Sequence, residues 1–192
     1  MRFALGLILL AVVWRIVAVF APELSNFSPL MALTFCGAVY FRDKRLWLVP
    51  FLALSVSDFW IDWHYASVMH YGWSLGDALV RTGCFAAGLG IGLLVARRKN
   101  WLTLLGGALG ASLLFYFVTN TQAWFGDAFY PKTLAGWWQA LTVGHPEYPP
   151  TLLFFRNTLL SDLLFTGLFA GIMELAARRR GEESRLARQA AV

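Results

Sequence analysis

The chain alternates between long apolar runs and short polar breaks, and the runs fall at roughly 3–21, 29–41, 46–60, 74–96, 101–119 and 151–177. A helix needs about 20 residues to cross the hydrocarbon core of a bilayer. The first, fourth, fifth and sixth runs reach that length. The second and third are shorter, which leaves them tilted among neighbours, extended by flanking residues, or re-entrant. No segment shows the strict alternation of a β-barrel strand. The first run begins like a signal peptide, but Arg15 interrupts it and no small-residue cleavage site precedes Pro22, so it reads as a span. The pattern predicts an all-α, polytopic membrane protein with six transmembrane helices: one domain over 1–177 and a basic tail over 178–192.

Composition sharpens that picture. Of the 192 residues 58% are hydrophobic and only 14% charged, with a net charge of +5. A soluble fold uses about 25% charged residues to cover its surface. Disorder, a nucleic-acid module built on a basic face and most soluble enzymes are thereby excluded. The charge is instead a topology signal. With the N-terminus inside and six crossings, the inner segments hold Arg2, Arg42, Lys44, Arg45, Arg97, Arg98, Lys99, Arg178, Arg179, Arg180, Arg185 and Arg188, twelve of the sixteen basic residues, whereas the outer segments hold Lys132 alone. That asymmetry predicts an N-in, C-in chain. Trp60, Trp63, Trp73, Trp124, Trp137 and Trp138 gather at the outer side, as an interfacial belt or as the wall of an outer ligand pocket. The tail from Arg178 reads as a basic stretch at the inner membrane surface, near anionic lipid.

Ionisable groups at membrane depth are costly and mark functional candidates. On the fourth run Asp77, Arg81, Cys84 and Gly88 project at about 0°, 40°, −20° and 20° for about 100° per residue, one narrow stripe. Asp77 and Arg81, one turn apart, are placed to neutralise each other. Arg81 one turn from Cys84 would favour its thiolate, and Gly88 leaves room beneath it. Against this stands the plain alternative that a buried cysteine is an inert small core residue. On the sixth run Asn157, Thr158, Ser161 and Asp162 form a polar patch, and Asp162 calls for a cation such as Arg81 or Arg156. Asp58 closes the third run and is placed to cap the next segment. His64 and His70 fall in the following loop without zinc-motif spacing. No Walker loop, nucleophile elbow or dinucleotide fingerprint is present. The pairs Gly88-xxx-Gly92 and Gly106-xxx-Gly110 permit close helix packing.

Several stretches carry a family likeness: Ser25-Asn26-Phe27-Ser28-Pro29-Leu30, Leu54-Ser55-Val56-Ser57-Asp58, Thr119-Asn120 with Trp124, Tyr130-Pro131-Lys132-Thr133-Leu134-Ala135-Gly136-Trp137, and Phe154 through Leu163. Over roughly 25–170 the chain resembles the six-helix S components of energy-coupling factor (ECF) vitamin transporters, and among them the solitary cobalamin-transporter (BtuM) type. The resemblance implies a protein of the bacterial cytoplasmic membrane that takes one vitamin from the outer side, cobalamin (vitamin B12) or a related corrinoid. It further implies Cys84 as the ligand of the substrate's cobalt, with Asp77, Arg81, Asn26, Phe27, Asp58, Trp124, Tyr130 and Asn157 shaping the pocket. Small residues on the first helix (Ala4, Gly6, Ala11, Ala18) lack the four-residue spacing that docks S components on a shared energising module, so that partner is not expected. Three alternatives stay open: transport of another vitamin or a metal ion, a membrane enzyme acting at the outer face, and a non-transport assembly partner of another membrane protein.

Overall fold

The computed structural model describes residues 2–21, 24, 26–41, 43–68 and 74–181. Among them every regular element is helical: α1 (Arg2–Val19), α2 (Leu30–Tyr40), α3 (Leu48–Val68), α4 (Leu75–Val95), α5 (Trp101–Gly126), α6 (Leu134–Leu141) and α7 (Thr151–Arg179). Short 3-10 turns, Lys44–Trp47 and Ala96–Arg98, lead into α3 and out of α4. Four helical segments, Lys44–Val68, Leu75–Arg98, Trp101–Gly126 and Thr151–Arg179, are long and apolar enough to cross a membrane. Helices α1 and α2 are apolar but shorter.

Local chemistry explains where several helices begin. Ser74 Oγ accepts from the Asp77 N–H at the start of α4. Asn100 and Thr103 form a reciprocal capping box at α5 (2.8 and 3.0 Å), and Thr133 Oγ1 accepts from the Gly136 N–H at α6. Two runs are longer than the hydropathy pattern implies. The third continues from 60 to Val68 and the fifth from 119 to Gly126. The expected outer loops at 61–73 and 120–150 are therefore partly helical, and Asp58 lies inside α3 instead of capping the next segment. His64 likewise sits on α3, stacked on Trp60 with ring centroids 5.4 Å apart. Trp73 and His70 lie outside the described residues. Helix α6 has no counterpart in the apolar runs.

Helix α2 is the axis of the molecule. All eleven of its residues are buried, and at 1.5 Å per residue it is only about 16 Å long. Its neighbours approach closely because they present glycine. A Cβ at Gly92 of α4 would stand 2.5 Å from the Phe35 carbonyl oxygen, and one at Gly107 of α5 would stand 2.7 Å from the Phe35 ring. Gly88 faces Met31 in the same way, at 2.8 Å. The space beneath Cys84 that the sequence left for a bulky group is thus filled by α2.

Helix α1 shows the inversion expected of a chain surrounded by lipid. Ala4, Ile8, Ala11, Arg15 and Ala18, spaced alternately four and three residues apart, are buried, while Leu9, Leu10 and Phe20 are more than half exposed. Small and charged residues face inward and large apolar ones face out.

The two ends of the bundle differ. Lys99 Nζ bonds Glu174 Oε1 at 3.3 Å and sits 3.9 Å from the Tyr40 ring centroid, which brings the ends of α2, α4 and α7 together. Lys44, Arg45, Arg97, Arg98 and Arg178 to Arg180 belong to this basic end. Burial pushes the Lys99 ammonium below the usual lysine range, with Glu174 opposing. At the other, aromatic-rich end, Trp137 Nε1 donates to Thr121 Oγ1 and Trp124 Nε1 donates to the Pro131 carbonyl, fastening the segment around α6 to α5.

Candidate functional site

Four charged side chains from three helices meet toward the aromatic end. Arg15 of α1 donates through Nη2 to Asp58 Oδ1 at 2.8 Å and through Nη1 to Ser57 Oγ at 3.0 Å. Arg81 of α4 donates through Nε to Asp58 Oδ2 at 2.6 Å and through Nη2 to Asp62. Asp58 and Asp62 are one turn apart on α3, so the Arg81 guanidinium spans both. The cluster carries two positive and two negative charges, and its sum of zero is what makes it tolerable among apolar helices.

The two arginines differ in setting. The Arg15 side chain is 3% exposed, whereas those of Arg81, Asp58 and Asp62 are 23%, 16% and 21% exposed. Arg15 anchors; Arg81 stands at the rim. Helices α3 and α4 otherwise pack only sparsely against each other, so Arg81 is the principal tie across that seam.

This arrangement corrects one expectation and completes another. Arg81 pairs with Asp58 and Asp62 across the seam, and no ion pair joins it to Asp77. The physical reason is that α3 offers two carboxylates, one to Nε and one to Nη2, so the guanidinium is satisfied by charge-assisted bonds to both. Asp77 instead lies in the first turn of α4, where a negative charge suits the helix dipole. Asp62 and Arg15 are the members that the sequence reading left out of the site. The signal for Asp62 was its four-residue spacing from Asp58, hidden by ending the third run at residue 60.

Asp162 is fully buried and takes neither Arg81 nor Arg156. Its Oδ1 accepts from the backbone N–H groups of Met31 (3.0 Å) and Ala32 (2.9 Å), and its Oδ2 from Ser112 Oγ at 2.8 Å. Helix α2 follows Pro29, which provides no side-chain cap. Asp162 supplies that cap from α7, satisfying amide donors that would otherwise be orphaned in the core.

The remaining expected site residues serve the turns. Asn26 adopts φ 60°, a left-handed conformation that asparagine tolerates, and its carbonyl accepts from Thr158. The Phe27 carbonyl accepts from Trp14 Nε1 at 2.8 Å and its ring meets the Trp14 ring edge-on. Asn157 is buried, its Oδ1 accepting from the Arg156 guanidinium at 3.2 and 3.3 Å. Tyr130 is buried between α5 and α6, next to Phe129. Trp63 and Trp138 are 59% and 62% exposed, which places them on the protein's surface and not in a pocket wall.

Cys84 is 2% exposed. Two of the hollows among the described residues flank the central helices. One, of about 360 Å³, is a groove between α4 and α5 lined by Val80, Thr121, Gln122 and Phe125; the other, of about 210 Å³, lies between α1, α2 and α7. Cys84 lines neither. Among the described residues no group of three or more His, Cys, Asp or Glu side chains is arranged to hold a metal ion.

Sequence comparison places the chain without assigning it chemistry. No curated protein and no solved structure matches it. The model of a family described as of unknown function, DUF6580, matches residues 1–185, and the protein belongs to that family.

Proposed function

We propose that the protein is a bacterial inner-membrane uptake protein of the S-component kind, with six membrane-crossing segments and both termini on the cytoplasmic side. It takes a small-molecule vitamin from the aromatic end, and a corrinoid is the substrate favoured by the resemblance over residues 25–170. The positive-inside pattern supports the orientation: the basic residues gather at the end where α2, α4 and α7 finish.

The observation that carries a binding role is the cluster of Arg15, Asp58, Arg81 and Asp62. A structural ion pair needs one cation and one anion. Here a guanidinium that is only partly buried ties a loosely packed seam and can exchange its carboxylates for the amides of an incoming ligand. Exchange would let α3 part from α4. Cys84 lies one turn deeper on the same helix face, about 4.5 Å along the axis from Arg81, so parting exposes the thiol to the substrate's cobalt. In this account Arg81 and Asp58 gate and orient, Arg15 holds Asp58 in place, and Cys84 supplies a soft axial ligand.

The test is the absorption spectrum of detergent-purified protein titrated with a corrinoid. A bound, thiolate-ligated corrinoid gives a spectrum distinct from that of the free compound, and Cys84→Ser restores the free spectrum. Absence of any spectral change on titration would remove the corrinoid assignment. Binding that persists unaltered in Cys84→Ser would remove the cobalt–sulfur contact alone.

A further inference from the structure

The hollow between α1, α2 and α7 is wholly apolar. Leu7 and Leu10 of α1, Leu33 of α2, and Phe165, Leu168 and Ile172 of α7 line it, and it measures about 210 Å³. An apolar cavity of about 150 Å³ accepts a molecule the size of benzene, so this one has room for a run of methylene groups. It is reached from the protein's outer surface, because the rim residues Leu10 and Leu168 are 58% and 48% exposed.

What lies next to it identifies the occupant. Phe165, Ile172 and Arg179 are spaced seven apart on α7. At about 100° per residue each lies about 20° from the one before, so they share one stripe. Arg179 is exposed and stands about 10 Å beyond Ile172 along the axis, at the basic end. Arg178 and Arg180 flank it and are exposed as well. An apolar slot with a cationic cluster about 10 Å beyond it along the same helix suits an amphiphile with a hydrocarbon chain and an anionic head.

We propose that this seam binds an anionic phospholipid of the leaflet at the basic end, one acyl chain lying in the hollow and the phosphate on Arg179. Phospholipid surrounds a membrane-embedded protein at high concentration, and the cation selects the anionic kind. The site is separate from the charged cluster at the aromatic end and requires only that the helices lie in a bilayer, so it stands whether or not a corrinoid is the substrate.

The full-length protein, purified in a neutral detergent, is titrated with phosphatidylglycerol or phosphatidylcholine. Thermal unfolding and native mass spectrometry of retained lipid provide the two readouts. Phosphatidylglycerol raises the unfolding temperature and stays bound at one per chain; phosphatidylcholine does neither. Arg179→Gln weakens that binding about fivefold, the size of one cation–headgroup contact. Arg97→Gln, which removes an exposed cation at the end of α4, leaves it unchanged. Leu168→Trp fills the hollow and displaces the chain. Equal binding of the two lipids overturns the proposal, as does an equal loss in Arg179→Gln and Arg97→Gln, which would reveal diffuse attraction only. Wild-type lipid retention in a folded Leu168→Trp protein overturns it too, and should that variant fail to fold, the paired arginine variants decide.

Discussion

Asp58 and Asp162 are both carboxylates inside apolar helices, and the protein holds them in opposite ways. Asp162 sits among neutral donors only: two backbone amides of α2 and the Ser112 hydroxyl. Asp58 sits between two guanidinium groups from different helices. The first arrangement uses a charge to finish a helix that begins in the core and offers nothing further to a ligand. The second divides its carboxylate between a buried guanidinium and a partly exposed one. A carboxylate within an apolar helix is therefore not by itself a functional candidate; the number and exposure of its partners set Asp58 apart from Asp162.

The comparison predicts a graded set of effects. Asp162→Ala is the most damaging change. It strands the Met31 and Ala32 amides and the Ser112 hydroxyl, at about 1–3 kcal/mol for each orphaned buried group. Folded yield and unfolding temperature should both collapse, with Asp162→Asn intermediate because it keeps an acceptor. A stable Asp162→Ala protein would show that α2 does not depend on this cap.

Arg15→Met comes next. Removing one partner of a buried pair costs about 3–5 kcal/mol; the second cation on Asp58 should hold the loss near the lower figure in chemical or thermal unfolding. A double-mutant cycle with Asp58→Asn should recover part of it.

Arg81→Gln should separate the two roles most cleanly. The side chain is partly exposed, so its ion pairs contribute about 1 kcal/mol or less to stability. Ligand binding, read from the corrinoid titration, should fall far more than that. Equal losses in stability and binding would reduce the cluster to a brace.

The smallest effect is at the basic end. Folding lowers the Lys99 pKa, so the unfolded chain holds that proton more tightly. Stability should rise as pH climbs through the lowered folded value toward the ordinary lysine value. Lys99→Met should flatten that part of the profile of unfolding temperature against pH.

Much of the architecture was legible in one dimension. Hydrophobic runs located the helices corresponding to α1 through α5 and α7, because a long apolar segment in lipid has no other way to satisfy its backbone. The pair Gly88 and Gly92 announced close packing, and the structure puts α2 there. The stripe of Asp77, Arg81, Cys84 and Gly88 was correctly placed on one face of α4, with Cys84 and Gly88 buried and Asp77 and Arg81 partly so. Helix α6 escaped notice because eight residues make no long apolar run. The C-terminal part of α3 escaped because Asp62 and His64 break the hydropathy pattern while leaving the helix intact.

Composition and periodicity thus determined that the chain is helical, rich in apolar surface and basic at one end, and they picked out the stripe of Asp77, Arg81, Cys84 and Gly88 on α4. They could not determine which neighbour that face would meet. Arg81 had an acid one turn away on its own helix and took two from α3; Asp162 had arginines within plausible reach and took amides from α2. Those choices follow from how the helices pack around α2, since a charge pairs with whatever group reaches it in the right plane, and only the assembled bundle fixes that distance and angle.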